Sequence, residues 1–173
     1  MGNNKYKNSF QEGRESEKLF EDLAKKKGFV VTKSTKQQDM RSHIDFFIAR
    51  DGKQFSFDVK APKRGKRHTG SQNDEAVWVE FVNVNGYDGW IKGKQTHIAF
   101  GFRDSYIIVM RDELLEYVES KIKSKEIVYN VKDSWYRLYQ RKGRKDLVTR
   151  ISKNDLLQIN HRIWKYQEQE HLH

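Results

Sequence analysis

The chain has no cysteine. This excludes a disulfide framework, a thiolate metal site and a thiol nucleophile, and it fits a reducing cytoplasm. Its one proline, Pro62, marks where a strand has to stop. No apolar run approaches the length of a membrane span, and the opening MGNNKYKNSF lacks the apolar segment of a secretory signal. The six histidines have no zinc-site spacing, and neither a Gly-rich phosphate loop nor a nucleophile elbow is present. Acidic residues are the minority charge: 24 Asp and Glu stand against 34 Lys and Arg, leaving a formal net charge of +10. That balance suits a polyanion, nucleic acid first, and nothing in the pattern points to a membrane.

What remains is 173 residues that are 36% hydrophobic and 13% aromatic, enough for one polar domain with a real core. We read residues 1–173 as a single unit of mixed α/β class (α+β type), with 1–11 as a loose arm and 125–173 as an appended hairpin and helix. EGRESEKLFEDLAKKKGF carries Leu19, Phe20, Leu23 and Ala24 on one stripe and predicts a first helix. FVVTKS reads as a strand, TKQQDMRS as a polar connection, and 43–60 as a hairpin turning at Asp51-Gly52. AVWVEFVNV, THIAFGF and YIIVM read as further strands, and RDELLEYVESKI as a short helix. SWYRLYQ and LVTRI form a second hairpin, and Ser152 with Asp155 opens a last helix over KNDLLQINHRIWKY.

The hairpin HIDFFIARDGKQFSFDVK carries the chemistry. A two-residue turn at Asp51-Gly52 sets Arg50 opposite Lys53, Asp45 opposite Asp58 and His43 opposite Lys60. Alternation places Ile44, Phe46, Ile48, Phe55, Phe57 and Val59 on one apolar face and Asp45, Asp58 and Lys60 on the other. Two carboxylates directly opposed, with Cβ atoms about 5 Å apart, repel each other. A hard cation such as Mg²⁺ would relieve them, as would a retained proton or neutralisation by Lys60. A solvated outer sheet face is the plain alternative. Glu17 lies at the edge of the helical stripe, where its carboxylate can reach the space between helix and hairpin.

Glu17, Asp45 and Asp58-Val59-Lys60 together resemble the E…(P)D…(D/E)XK arrangement of the PD-(D/E)XK nuclease superfamily. GRESEKLFEDLAKKKGFVV, HIDFFIA and FDVKAPKR look most like its archaeal Holliday junction resolvase branch, including Gly13 four residues before the glutamate and the closing Gly28-Phe29. The likeness covers about residues 13–63. Ile44 stands where many members have proline, and NGYDGWIKGK predicts a loop where many have a helix.

The resemblance implies a restriction-endonuclease-like core, a central mixed sheet holding the Asp45/Asp58 hairpin between helices. It also implies a Mg²⁺-dependent endonuclease acting on DNA, branched forms included, with Mn²⁺ as a substitute ion and a homodimer as the assembly. By the same resemblance Asp45, Asp58 and the Val59 carbonyl would hold the metal. Glu17 would be a ligand or a water-mediated partner, and Lys60 would orient the attacking water or stabilise developing charge.

Lys63, Arg64, Lys66 and Arg67 in the following loop, with His43, are expected to bind phosphates. Trp90, Trp135, Tyr136 and Tyr139 either stack on unpaired bases or pack in the core. Small size without cysteine suits a phage-encoded protein working in host cytoplasm. The alternative function is a non-catalytic nucleic-acid-binding protein on the same scaffold.

Overall fold

A computed structural model describes residues 9–62 and 76–167. Helix α1 (Ser9–Lys26) buries Phe20, Leu23 and Ala24, the stripe expected from 3.6-residue periodicity. It begins earlier than expected, so residues 9–11 are helical and not part of a loose arm. It closes where the Phe29 amide donates to the Ala24 carbonyl at 3.0 Å. Strand β1 (Val30–Lys33) follows.

TKQQDMRS, expected as a plain connection, instead contains helix α2 (Lys36–Ser42), started by a capping box in which the Thr35 hydroxyl accepts from Gln38 N. It buries no residue, so it carries no apolar stripe, and the cap is its only sequence signal.

Strands β2 (Phe46–Arg50) and β3 (Lys53–Lys60) form the expected hairpin, with Arg50 opposite Lys53 and Phe46 opposite Phe57. Asp51 and Gly52 both have positive φ, 54° and 74°, as a hairpin turn that follows strand twist requires. Strand β4 (Ala76–Val82) leads through a 3-10 turn at Trp90–Lys92 to β5 (His97–Gly101) and β6 (Ser105–Met110). Helix α3 (Arg111–Lys121) is followed by short β7 (Ile127–Val128) and β8 (Leu138–Tyr139), then β9 (Leu147–Ser152).

The expected final helix is corrected. Ser152 and Asp155 do form a capping box, but α4 spans only Lys153–Leu156, and β10 (His161–Lys165) pairs antiparallel with β6. Packing decides this. Trp164 stacks on Phe20 at 5.5 Å between ring centres and lies against Phe29 and Phe57, contacts that a strand on the edge of the main sheet makes possible. The carboxy-terminal part is therefore woven into the sheets and is not an appended hairpin and helix.

The main sheet is six-stranded, ordered β1-β2-β3-β5-β6-β10. It is mixed, with β3 and β5 parallel and the other neighbours antiparallel. One face, with Phe46, Phe57, Val59, Ala99 and Ile108, packs on α1. The opposite face, with Ile98, Phe100, Ile107 and Val109, packs on α3 and on Val77, Val79, Phe81 and Ile151 of the second sheet, ordered β4-β9-β8-β7. Among the described residues no helix is long and apolar enough to cross a membrane.

Candidate active site

The expected apolar face of the hairpin is buried: Phe46, Ile48, Phe57 and Val59 all pack in the α1 cluster. Alternation then sends Ser56, Asp58 and Lys60 to the opposite face. That face is covered, since Asp58 is only 4% exposed, so it is not a solvated outer surface. Across the parallel pair Asp58 neighbours Ile98 and Lys60 neighbours Phe100.

Asp45 does not sit squarely opposite Asp58, because the regular ladder ends at Phe46–Phe57. One residue earlier the chain is still leaving α2, whose carboxy-terminal cap His43 is left-handed at φ 55°. The Asp45 amide donates to the Phe57 carbonyl at 2.8 Å and its carbonyl accepts from Ser34 N at 2.9 Å. Its carboxylate Oδ2 accepts from the Val59 amide at 2.7 Å. A side-chain oxygen thus stands where a backbone carbonyl would continue the ladder. His43 is corrected with it: it caps a helix instead of facing Lys60 across a ladder, although both side chains line the same cavity.

Burial, then repulsion from Asp58, pushes the Asp45 carboxyl up to about 8. The Val59 amide and Lys60 pull the other way, and Glu17 adds to the rise. Glu17, on α1, is also raised, first by burial, with Lys33 lowering it and Asp39 and Asp58 raising it further. The structure therefore brings Glu17, Asp45, Asp58 and Lys60 within electrostatic reach of one another.

Lys60 Nζ lies 2.8 Å from Asp58 Oδ2 and 4.8 Å from the centre of the Trp90 ring. Neutralisation by Lys60 and a proton retained on Asp45 are thus two of the reliefs anticipated for the acidic pair. Trp90 is buried in the core, so it is not a stacking platform for bases.

Several residues that hold this arrangement were not singled out from sequence. Gln95, 1% exposed, donates from Nε2 to the Trp90 carbonyl at 2.7 Å and reaches Asp58 Oδ2 at 3.5 Å. It fits because Gly93 has no side chain: a Cβ there would fall 2.1 Å from Gln95 Oε1. Arg111, at the start of α3, donates to the Ile91 and Gln95 carbonyls at 2.9 and 3.2 Å and fixes the turn. Tyr106, 0% exposed, donates to the Ser16 carbonyl at 2.5 Å and lies 2.8 Å from its hydroxyl, anchoring α1 one residue before Glu17. None of these belongs to a motif, and only their packing reveals them.

Among the described residues no three His, Asp or Glu side chains form a ready-made metal cage. Mg²⁺ does not require one, since it is commonly held by one or two carboxylates and several waters. The donor set fits a hard cation on an observation of this structure: three carboxyl groups share one partly buried region with a single adjacent ammonium, and two of them are raised. Lys63, Arg64, Lys66 and Arg67 lie outside the described residues. No protein-family model, no curated protein and no solved structure matches the chain.

Proposed function

We propose that the chain is a metal-dependent endonuclease that hydrolyses DNA phosphodiester bonds at Glu17, Asp45, Asp58 and Lys60. The observation that carries the reading is Asp45, a carboxyl group built into the hairpin ladder at the Val59 amide and pressed by the charges of Asp58 and Glu17. An uncompensated carboxylate at such a place costs stability, and a site that binds a cation uses that cost.

Asp45 and Asp58 would hold Mg²⁺ with the Val59 carbonyl, Glu17 directly or through water, as the PD-(D/E)XK resemblance implies. The bound ion would supply Lewis-acid polarisation of a phosphoryl oxygen and a lowered pKa for water. The protein's own part is positional. Val59 N–H fixes the Asp45 carboxylate, Gln95 and Lys60 hold Asp58, and Tyr106 holds the helix that carries Glu17. Lys60, 30% exposed along its side chain, can leave Asp58 to donate to the attacking water or to the phosphoryl oxygens as negative charge builds.

DNA is the substrate class that the net charge of +10 suits best. Lys33 and Lys36 before α2, with Lys92 and Lys94 on the turn that docks through Lys94 N to Ser42 O, lie on the segments bordering the acids.

A second reading has its own support. The Lys60–Asp58 ion pair and a protonated Asp45 balance the site without any metal, as in a non-catalytic DNA-binding protein. Incubating the protein with supercoiled plasmid, single-stranded circle and four-way junction in Mg²⁺ and in chelator separates the two. Cleavage in Mg²⁺ and none in chelator is the expected result. Equal DNA binding in both conditions with no cutting in Mg²⁺ or Mn²⁺ would establish the binding protein instead.

A further inference from the structure

Beside Lys60 a cavity of about 650 Å³ runs between the ends of β3 and β5 and the second sheet. Its volume lies within the range of about 300–1,000 Å³ typical of pockets that enclose small organic ligands. Lys60 and Pro62 border it on the side of the acids, Trp78 and Glu80 of β4 form a wall, and Arg141 and Asp146 lie on the β8–β9 side.

Two features make it more than a gap between sheets. Asp146 is only 5% exposed. Its Oδ2 accepts from Arg141 Nε at 2.9 Å and lies 2.8 Å from the Arg141 NH2 group, while its Oδ1 has no hydrogen-bond partner. A buried carboxylate oxygen without a donor is costly, and such groups are rare unless a ligand or water completes them. The second feature is Trp78, an indole on the wall that is only part-buried.

Charge decides what fits. Glu80 and Asp146 oppose an anion, so a phosphate is excluded from this end of the cavity and suits the Lys60 end. A neutral, flat group that presents N–H donors satisfies both the orphan oxygen and the indole. Resting on the nuclease reading above, we infer that the cavity receives one unpaired nucleobase of the strand whose phosphate lies at Asp45 and Asp58. Each DNA base carries an N–H or NH₂ donor on its Watson–Crick edge, and that edge is free only when the base is unpaired. The pocket therefore selects strands with an unpaired nucleotide beside the scissile phosphate, as in single-stranded or branched DNA, over continuous duplex.

The test is an abasic scan read by binding, so that it does not depend on catalysis. A fluorescent single-stranded oligonucleotide is made with one abasic site at each position in turn, and its affinity is measured in chelator for the wild type, Trp78→Ala and Asp146→Asn. Loss of one stacked base is expected to weaken wild-type binding about tenfold at one position. The same substitution should have little effect in Trp78→Ala and a reduced one in Asp146→Asn, which keeps the side-chain shape. An equal loss at every position, or the same loss in all three proteins, overturns the pocket while leaving the nuclease reading intact. Failure to bind any oligonucleotide overturns both. Position-dependent binding without cleavage in Mg²⁺ supports the pocket and removes the nuclease.

Discussion

A carboxyl group that replaces a backbone acceptor in a β-ladder is held in place whether or not it is charged, and Asp45 shows the consequence. Its ordinary value of 3.8 is raised to about 8 in the fold, so the protonated form is the one the metal-free fold favours. The stabilising contribution is complete below about pH 4, where folded and unfolded chains both carry the proton, and is lost as pH rises through about 8. Metal-free protein should therefore melt progressively lower across that window, and Asp45→Asn, whose amide oxygen can still accept from Val59 N–H, should flatten the profile. Thermal melts in chelator check this, and Mg²⁺ should raise the wild-type melting temperature at the alkaline end but not that of Asp45→Asn.

Gln95 acts on the neighbouring acid. Gln95→Ala removes the donor to the Trp90 carbonyl and should cost about 1–3 kcal/mol in urea denaturation, the penalty for a buried polar group left without its partner.

At the scale of elements, α1 is placed by contacts that reach across the sheet. Tyr106→Phe removes the hydroxyl bonds to Ser16 and should cost about 1 kcal/mol of stability. Because Glu17 follows Ser16 directly, cleavage should fall by more than the lost stability explains, while DNA affinity in chelator stays unchanged. The edge strand β10 has a parallel role. Trp164→Ala opens the stack on Phe20, Phe29 and Phe57 and should cost about 2 kcal/mol in denaturant titration. This is below the range for fully buried tryptophans because Trp164 is only part-buried.

β10 also shows where sequence reading stops. HRIWK follows a genuine capping box and alternates only weakly, so the local signal favours helix. The strand is decided by a partner, β6, about fifty residues earlier in the chain. α2 was illegible for the opposite reason: it has a cap but no buried face. The β2–β3 hairpin was legible to the residue because Asp51-Gly52 fixes the register and a strictly alternating apolar set fixes the face. That register ran one pair too far, at Asp45, where α2 and its left-handed cap redirect the chain.

At the scale of the whole molecule, the two faces of the main sheet divide the labour. The α1 side supplies Glu17 and the second-sheet side covers Asp58, Lys60 and the adjoining cavity. Asp45 lies where the hairpin ladder is interrupted, so charges from both faces act on it. The proximity of Asp45 and Asp58 was readable from the hairpin, and Glu17 from its place on the stripe. Gln95, Arg111, Tyr106 and Asp146 were not, since each acts through a single long-range contact with no spacing to mark it. The excess positive charge belongs to this scale too. DNA affinity should fall steeply and linearly on a logarithmic scale with salt, as counterions are released, which anisotropy at increasing salt would show.

The most direct test of the account is nicking of supercoiled plasmid in Mn²⁺ by the wild type and by Asp58→Asn, with the folded state of each confirmed by circular dichroism. The account predicts nicking by the wild type and a loss of about 10²-fold or more in the variant. Nicking retained at the wild-type rate by a folded Asp58→Asn would contradict it.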